Sequence, residues 1–201
     1  MVDPTKLLTA DEVSAILTFL HHRRRRGPNY VLNRAIFRLS CCCGLRVNEL
    51  CALDTGEVLT RLRAMLLVSG SCKRIVTIDW DAGTVEDIVA YKVMRLAQLG
   101  AKEPRDEPFL AGVSQNAGKR LTTDLAAKRW RSVMRVVLGE ERAKQLSIQA
   151  GRRTYPSYAA AHGRSLAEIT KALGNTNLAT AAAHIGAAQF SASLRKNLPA
   201  K

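Results

Sequence analysis

One stretch of this 201-residue chain reads as β-structure rather than helix. Residues 62–69 (LRAMLLVS) and 74–79 (RIVTID) are rich in β-formers, with a few Gly, Ser and Cys residues between them. That pattern reads as a single hairpin. On either side, apolar residues recur every three or four positions, as a helix burying one face requires. A lone hairpin among helices restricts the chain to a mainly α fold with a small antiparallel β-sheet, an α+β class.

The helices announce their ends. Thr9 with Glu12 three residues later forms a capping box, followed by Val13, Ile16, Leu17 and Leu20 at helical spacing. Gly27-Pro28 closes that helix after a run of four arginines, Arg23 to Arg26. The run is either a phosphate grip or a solvated linker. A second helix is expected over 31–43, ending before Gly44, and a short third begins near Arg46. Helical spacing returns over 84–99. Residues 100–120 form a polar connection holding an apolar island, Pro108-Phe109-Leu110. Further helices are expected over 122–138, over 152–161 with Gly163 as the stop, and over 166–173 opened by a Ser165/Glu168 capping box. An Ala-rich helix over 177–185 and a tail with Phe190 and Leu194 four apart complete the chain. There is no internal repeat. We expect one domain over 1–201, with its core in 8–186 and a tail in 187–201.

Charge is distributed unevenly. The chain carries 31 Lys and Arg against 17 Asp and Glu, a formal net charge of +14. Residues 1–118 hold 16 basic and 13 acidic residues; residues 119–201 hold 15 and 4. A basic excess gathered in one stretch favours a polyanion partner. Aromatic residues make up only 5% of the chain, which argues against a base-stacking single-strand binder. No apolar run reaches the roughly 20 residues of a membrane span. Cys41, Cys42 and Cys43 are adjacent, an arrangement poorly suited to one tetrahedral metal. They read as small packing groups in a reducing cytoplasm, with no metal or other cofactor expected.

Two arginines stand where a helix should begin: Arg46 in CGLRVNEL and Arg152 in QAGRRT. A planar guanidinium grips two phosphate oxygens and keeps its charge, so a fixed pair of them suits a phosphodiester. Each could equally be a surface residue at a helix start. The wider context favours function. CGLRVNEL resembles the Thr-Gly-Leu-Arg-x-x-Glu-Leu box of the tyrosine recombinase (phage integrase) family, with Cys43 replacing the usual Thr. LLTADEVSAIL resembles the opening of that family's catalytic domain, and LLVSGSCKRIVTID its lysine-bearing hairpin. DEPFLAGVSQNAGKRLT resembles its central connection. GRRTYPSYAAAHGRSLAEITKALGNTN resembles its Leu-Arg-His-Thr … Gly … Ile-x-x-x-Leu-Gly-His stretch. The resemblance runs from Leu8 to about Gly186.

The resemblance implies a tyrosine recombinase catalytic-domain fold and a role in DNA integration and recombination on double-stranded DNA. Arg46 and Arg152 would clamp phosphate, with Glu49 as the supporting acid. Lys73 would protonate the leaving oxygen, with Arg74 as its competitor; Arg74 and Arg153 would also contact DNA. Three positions depart from the family pattern. Its first histidine falls on Gln149, its second His or Trp on Asn175, and its tyrosine nucleophile on His184. Gln and Asn still donate hydrogen bonds but exchange no proton near neutral pH. An imidazole presents its attacking atom elsewhere than a phenol does, and misplacement by about 1 Å already damages such chemistry. Strand cleavage is therefore expected to be impaired or altered. The alternative is a silent duplex-binding regulator or mobile-element remnant; the bland alternative is a basic helical protein that binds RNA or an acidic protein. The chain starts near the expected start of a catalytic domain, so the family's separate N-terminal DNA-clamping domain is expected to be absent. The tail is expected to join copies of the chain on DNA.

Overall fold

A computed structural model describes residues 3–23, 27–60, 64–69, 73–100, 106–113, 117–174, 179, 182, 183 and 185. Helix α1 (Ala10–Arg23) starts on the expected capping box: the Thr9 N–H donates to Glu12 Oε2 at 2.8 Å and the Glu12 N–H to Thr9 Oγ1 at 3.2 Å. Its Val13, Ile16 and Leu20 enter the core. Gly27 and Pro28 then start α2 (Pro28–Phe37), with proline in the first turn where its missing N–H costs nothing.

The expected helix over 31–43 begins earlier and ends differently. After Phe37 the chain widens into a turn of π-helix, Arg38–Cys42, in which the Cys43 N–H donates to the Arg38 carbonyl at 2.9 Å. Widened turns of this kind concentrate at functional sites. The added residue delivers Gly44, at φ +69°, beneath the ring of Tyr155. Helix α3 (Val47–Ala52) follows.

The sheet holds one more strand than the hairpin predicted. Strand β1 (Val58–Leu59) pairs antiparallel with β2 (Met65–Val68), and β2 pairs antiparallel with β3 (Arg74–Thr77), in the order β1-β2-β3. Two residues of β1 are too few to show a periodic signal. Leu66, Val68, Val76 and Val58 face inward.

Helix α4 (Ala82–Gln98) is capped by Asp81, whose carboxylate accepts from the Thr84 N–H at 3.0 Å. The apolar island is held to the end of α3: the Phe109 N–H donates to the Leu53 carbonyl at 2.9 Å, and Phe109 and Leu110 are fully buried. Helix α5 (Thr123–Leu138) is capped by Thr122, and Gly139 turns the chain into α6 (Glu140–Gln145), a short helix the sequence did not announce. Helix α7 (Gln149–Ala161) begins three residues before the expected start, which puts Arg152 in its first turn. Helix α8 (Leu166–Leu173) opens on the Ser165/Glu168 box and ends at Gly174, φ +64°. The helix expected over 177–185 falls largely, and the tail wholly, outside the described residues.

Helix α7 packs on the π-turn so closely that a Cβ on Gly151 would lie 2.3 Å from Ser40 Oγ and 2.9 Å from Trp130 Cη2. Glycine there lets two backbones meet. The four cysteines at 41, 42, 43 and 51 are buried and free, consistent with small packing groups. The core also encloses a polar cluster. Asp87 pairs with Arg34 and with Arg38 (Nε to Oδ2, 2.7 Å), while Asp81 lies 3.7 Å from Arg38 and accepts from Tyr158 Oη at 2.6 Å. Two guanidiniums and two carboxylates thus lock α2 and the π-turn to α4. No helix among the described residues is long and apolar enough to cross a membrane.

Candidate active site

The second cluster forms where α3, β3, α7 and the end of α8 meet, and its centre is Glu49. Helix α3 fixes Glu49 by a local bond: its Oε2 accepts the Arg46 backbone N–H at 2.7 Å, covering a donor that the helix start leaves open. The Arg46 guanidinium lies 3.3 Å from Oε1. Arg74 grips the same carboxylate with both fork nitrogens, Nη1 to Oε1 at 2.7 Å and Nη2 to Oε2 at 2.8 Å. Arg152 Nη1 lies 3.6 Å from Oε2. Three positive charges therefore surround one negative charge.

The same arginines cap α8. Its final carbonyls have no partner within the helix. Arg74 Nε donates to the Ala172 carbonyl at 2.6 Å, and Arg152 Nη2 donates to the Leu173 carbonyl at 2.7 Å. Cations at a helix C-terminus also oppose its negative dipole end. Arg152 Nη1 further donates to the Gly44 carbonyl at 2.7 Å. One side chain thus joins the turn before Arg46 to the end of α8.

Exposure separates the three. The Arg46 side chain is 41% exposed, that of Arg152 11%, and that of Arg74 only 5%. Burial, reinforced by the positive charge of Arg46, pushes the Arg152 guanidinium down to about 10, so it stays charged at neutral pH. Burial alone would push the Glu49 carboxyl up. Hydrogen bonds from Arg74 and the Arg46 N–H, with the charges of Arg74 and Arg152, hold it below its ordinary value instead.

The remaining candidates divide. Lys73 directly precedes β3 and is exposed, next to Arg74, whose side chain turns inward. Gln149 opens α7 one turn before Arg152 and is half-buried, while Arg153 is exposed. Asn175, His184 and the arginines at 24–26 lie outside the described residues. Tyr155 and Tyr158 are buried, Tyr155 against Gly44 and Tyr158 in the Asp81 cluster. The inward aim of Arg74 had a signal in the sequence. It shares the two-residue phase of Val76 and Ile78, both buried.

Known proteins share this frame. The family model described as "Phage integrase family" matches residues 6–188. The tyrosine recombinase XerC of Myxococcus xanthus is 28% identical over 176 residues, which are 87% of this chain and 56% of the relative. The chain thus spans little more than half the length of that relative. Among solved structures, XerA recombinase superposes with a TM-score of 0.65 at 20% identity, covering 89% of this chain and 57% of the other. XerH site-specific recombinase bound to palindromic difH substrate, a post-cleavage complex, gives 0.68 at 16% identity, with 89% and 48% covered. These likenesses establish the fold.

Proposed function

This chain belongs to the phage integrase family, and we propose that it grips double-stranded DNA through a clamp of Arg46 and Arg152 while lacking an efficient means of cutting it. The observation that carries this reading is the charge imbalance at Glu49. Among the described residues, three arginines share this one carboxylate, and one of them, Arg46, faces solvent. A phosphodiester is the natural fourth partner for such a set. Lys73 on the adjacent hairpin and Arg153 on α7 supply further phosphate contacts.

Cleavage needs a nucleophile and a proton donor besides the clamp. The position of the family's tyrosine is His184, and Gln149 and Asn175 replace groups that exchange protons. The protein therefore acts in DNA integration and recombination chiefly as a binder, with strand cleavage impaired or altered. Further copies assemble on the duplex through the tail around Phe190 and Leu194. A cytoplasmic setting within a mobile element suits this role, and a silent regulator or remnant of such an element is its limiting form.

Two measurements test the reading. Duplex binding followed across salt concentrations is expected to weaken steeply, since each neutralised phosphate releases counterions. Incubation with nicked suicide duplexes is expected to leave no covalent protein–DNA adduct. An adduct that disappears in His184→Ala would show efficient cutting and overturn the chemical half. Duplex binding indifferent to salt would overturn the clamp.

A further inference from the structure

Arg74 is the least exposed of the three arginines, yet it makes the best contacts to Glu49. Its fork meets both carboxylate oxygens at 2.7 and 2.8 Å, while Arg46 and Arg152 approach them at 3.3 and 3.6 Å. A bidentate Arg–carboxylate pair is the strongest arrangement these groups adopt. Glu49 therefore has its negative charge matched from the buried side. Its weaker neighbours are left with guanidinium capacity to spend elsewhere: Arg46 towards solvent, and Arg152 on the Gly44 and Leu173 carbonyls.

We propose that Arg74 is a positioning residue that engages Glu49 so that Arg46 and Arg152 stay available to phosphate. Without Arg74, Glu49 would be a buried carboxylate with two arginines in reach. Leaving a buried charge unmatched is costly, so Glu49 would draw those arginines into full pairs. The acid that supports the clamp would then compete with DNA for it. Arg74 has a second tie, through Nε, to the Ala172 carbonyl. It thereby links the hairpin that bears Lys73 to the helix end that Arg152 also holds. This inference rests on the duplex-binding reading above.

The test is a double-mutant cycle on duplex affinity at fixed salt, with the salt slope and the helical circular dichroism of each protein recorded. The proteins are wild type, Arg74→Met, Glu49→Gln, Arg74→Met/Glu49→Gln and Arg74→Lys. Wild type must bind duplex with a steep salt slope; if it does not, the functional reading fails before this one is reached. Arg74→Met is expected to weaken binding about tenfold, the size of one lost charge-assisted contact. The double variant is expected to recover most of that loss, because the amide that Glu49→Gln introduces carries no competing charge. Arg74→Lys keeps the charge but cannot fork, so it is expected to bind more weakly than wild type. A double variant as weak as Arg74→Met, or an Arg74→Lys protein equal to wild type, would mean that Arg74 acts on DNA by its charge and would overturn the inference. If Arg74→Met and Arg74→Lys both fail to fold, Arg74 only holds the structure, and the inference is likewise overturned.

Discussion

Among the described residues, two arginine–carboxylate clusters are built from the same groups with different charge sums. In the core, Arg34 and Arg38 face Asp81 and Asp87, two charges against two, and all four residues are buried. At the junction of α3, β3, α7 and α8, Arg46, Arg74 and Arg152 face Glu49, three charges against one, and Arg46 reaches solvent. A balanced, buried set can only hold elements together, because any incoming ion would leave a partner unmatched. An unbalanced set with one open member has positive charge to spare, which the proposed phosphate contact would use. The contrast teaches that the number of arginines alone does not separate the two clusters; the charge sum and the route to solvent do.

The sharpest way to break the contrast is to unbalance the core cluster. Asp87→Ala leaves Arg34 and Arg38 without their shared carboxylate. Removing one partner of a buried pair costs about 3–5 kcal/mol. For a chain of this size that corresponds to a fall in melting temperature of roughly 6–20 °C. Thermal unfolding measures the loss, and the salt slope of duplex binding, recorded well below the transition, is expected to stay at the wild-type value. A loss under about 1 kcal/mol, or a changed slope, would mean that the two clusters are not separate in function.

A smaller effect is expected from the turn between them. Gly44 sits at φ +69°, and a Cβ there would lie 2.7 Å from the Tyr155 ring. Its carbonyl also accepts from Arg152. Gly44→Ala is expected to cost about 1–3 kcal/mol through overpacking and to weaken duplex binding as well, because the anchor of Arg152 shifts. An unfolding loss with unchanged binding would detach Gly44 from the clamp. This residue also marks how far the sequence could be read. The helix–hairpin–helix plan, both capping boxes, Arg46, Glu49 and Arg152 were legible because each rests on local spacing or on a compact motif. The π-turn that brings Gly44 under Tyr155 was not, since a widened turn depends on the α7 backbone it packs against and leaves no periodic mark. Strand β1 and α6 are too short to carry a period. The core cluster was hidden because Arg34, Arg38, Asp81 and Asp87 pair across 43 to 53 positions, and single charges give no sign of their partners.

The smallest effect on stability is expected where the effect on binding is most specific. Arg46→Ala removes a side chain that is 41% exposed, yet keeps the backbone N–H that Glu49 accepts, so α3 retains its start. Stability should stay within about 0.5 kcal/mol of wild type, as for most exposed positions. Duplex affinity should fall at every salt concentration, and the slope of log affinity against log salt should become shallower by about 0.9, the signature of one lost phosphate contact. Thermal unfolding beside salt-dependent binding distinguishes the outcomes. If Arg46→Ala lowers the melting temperature as Asp87→Ala does and leaves the slope intact, then the Glu49 cluster is a second brace, and its spare charge has no phosphate to meet.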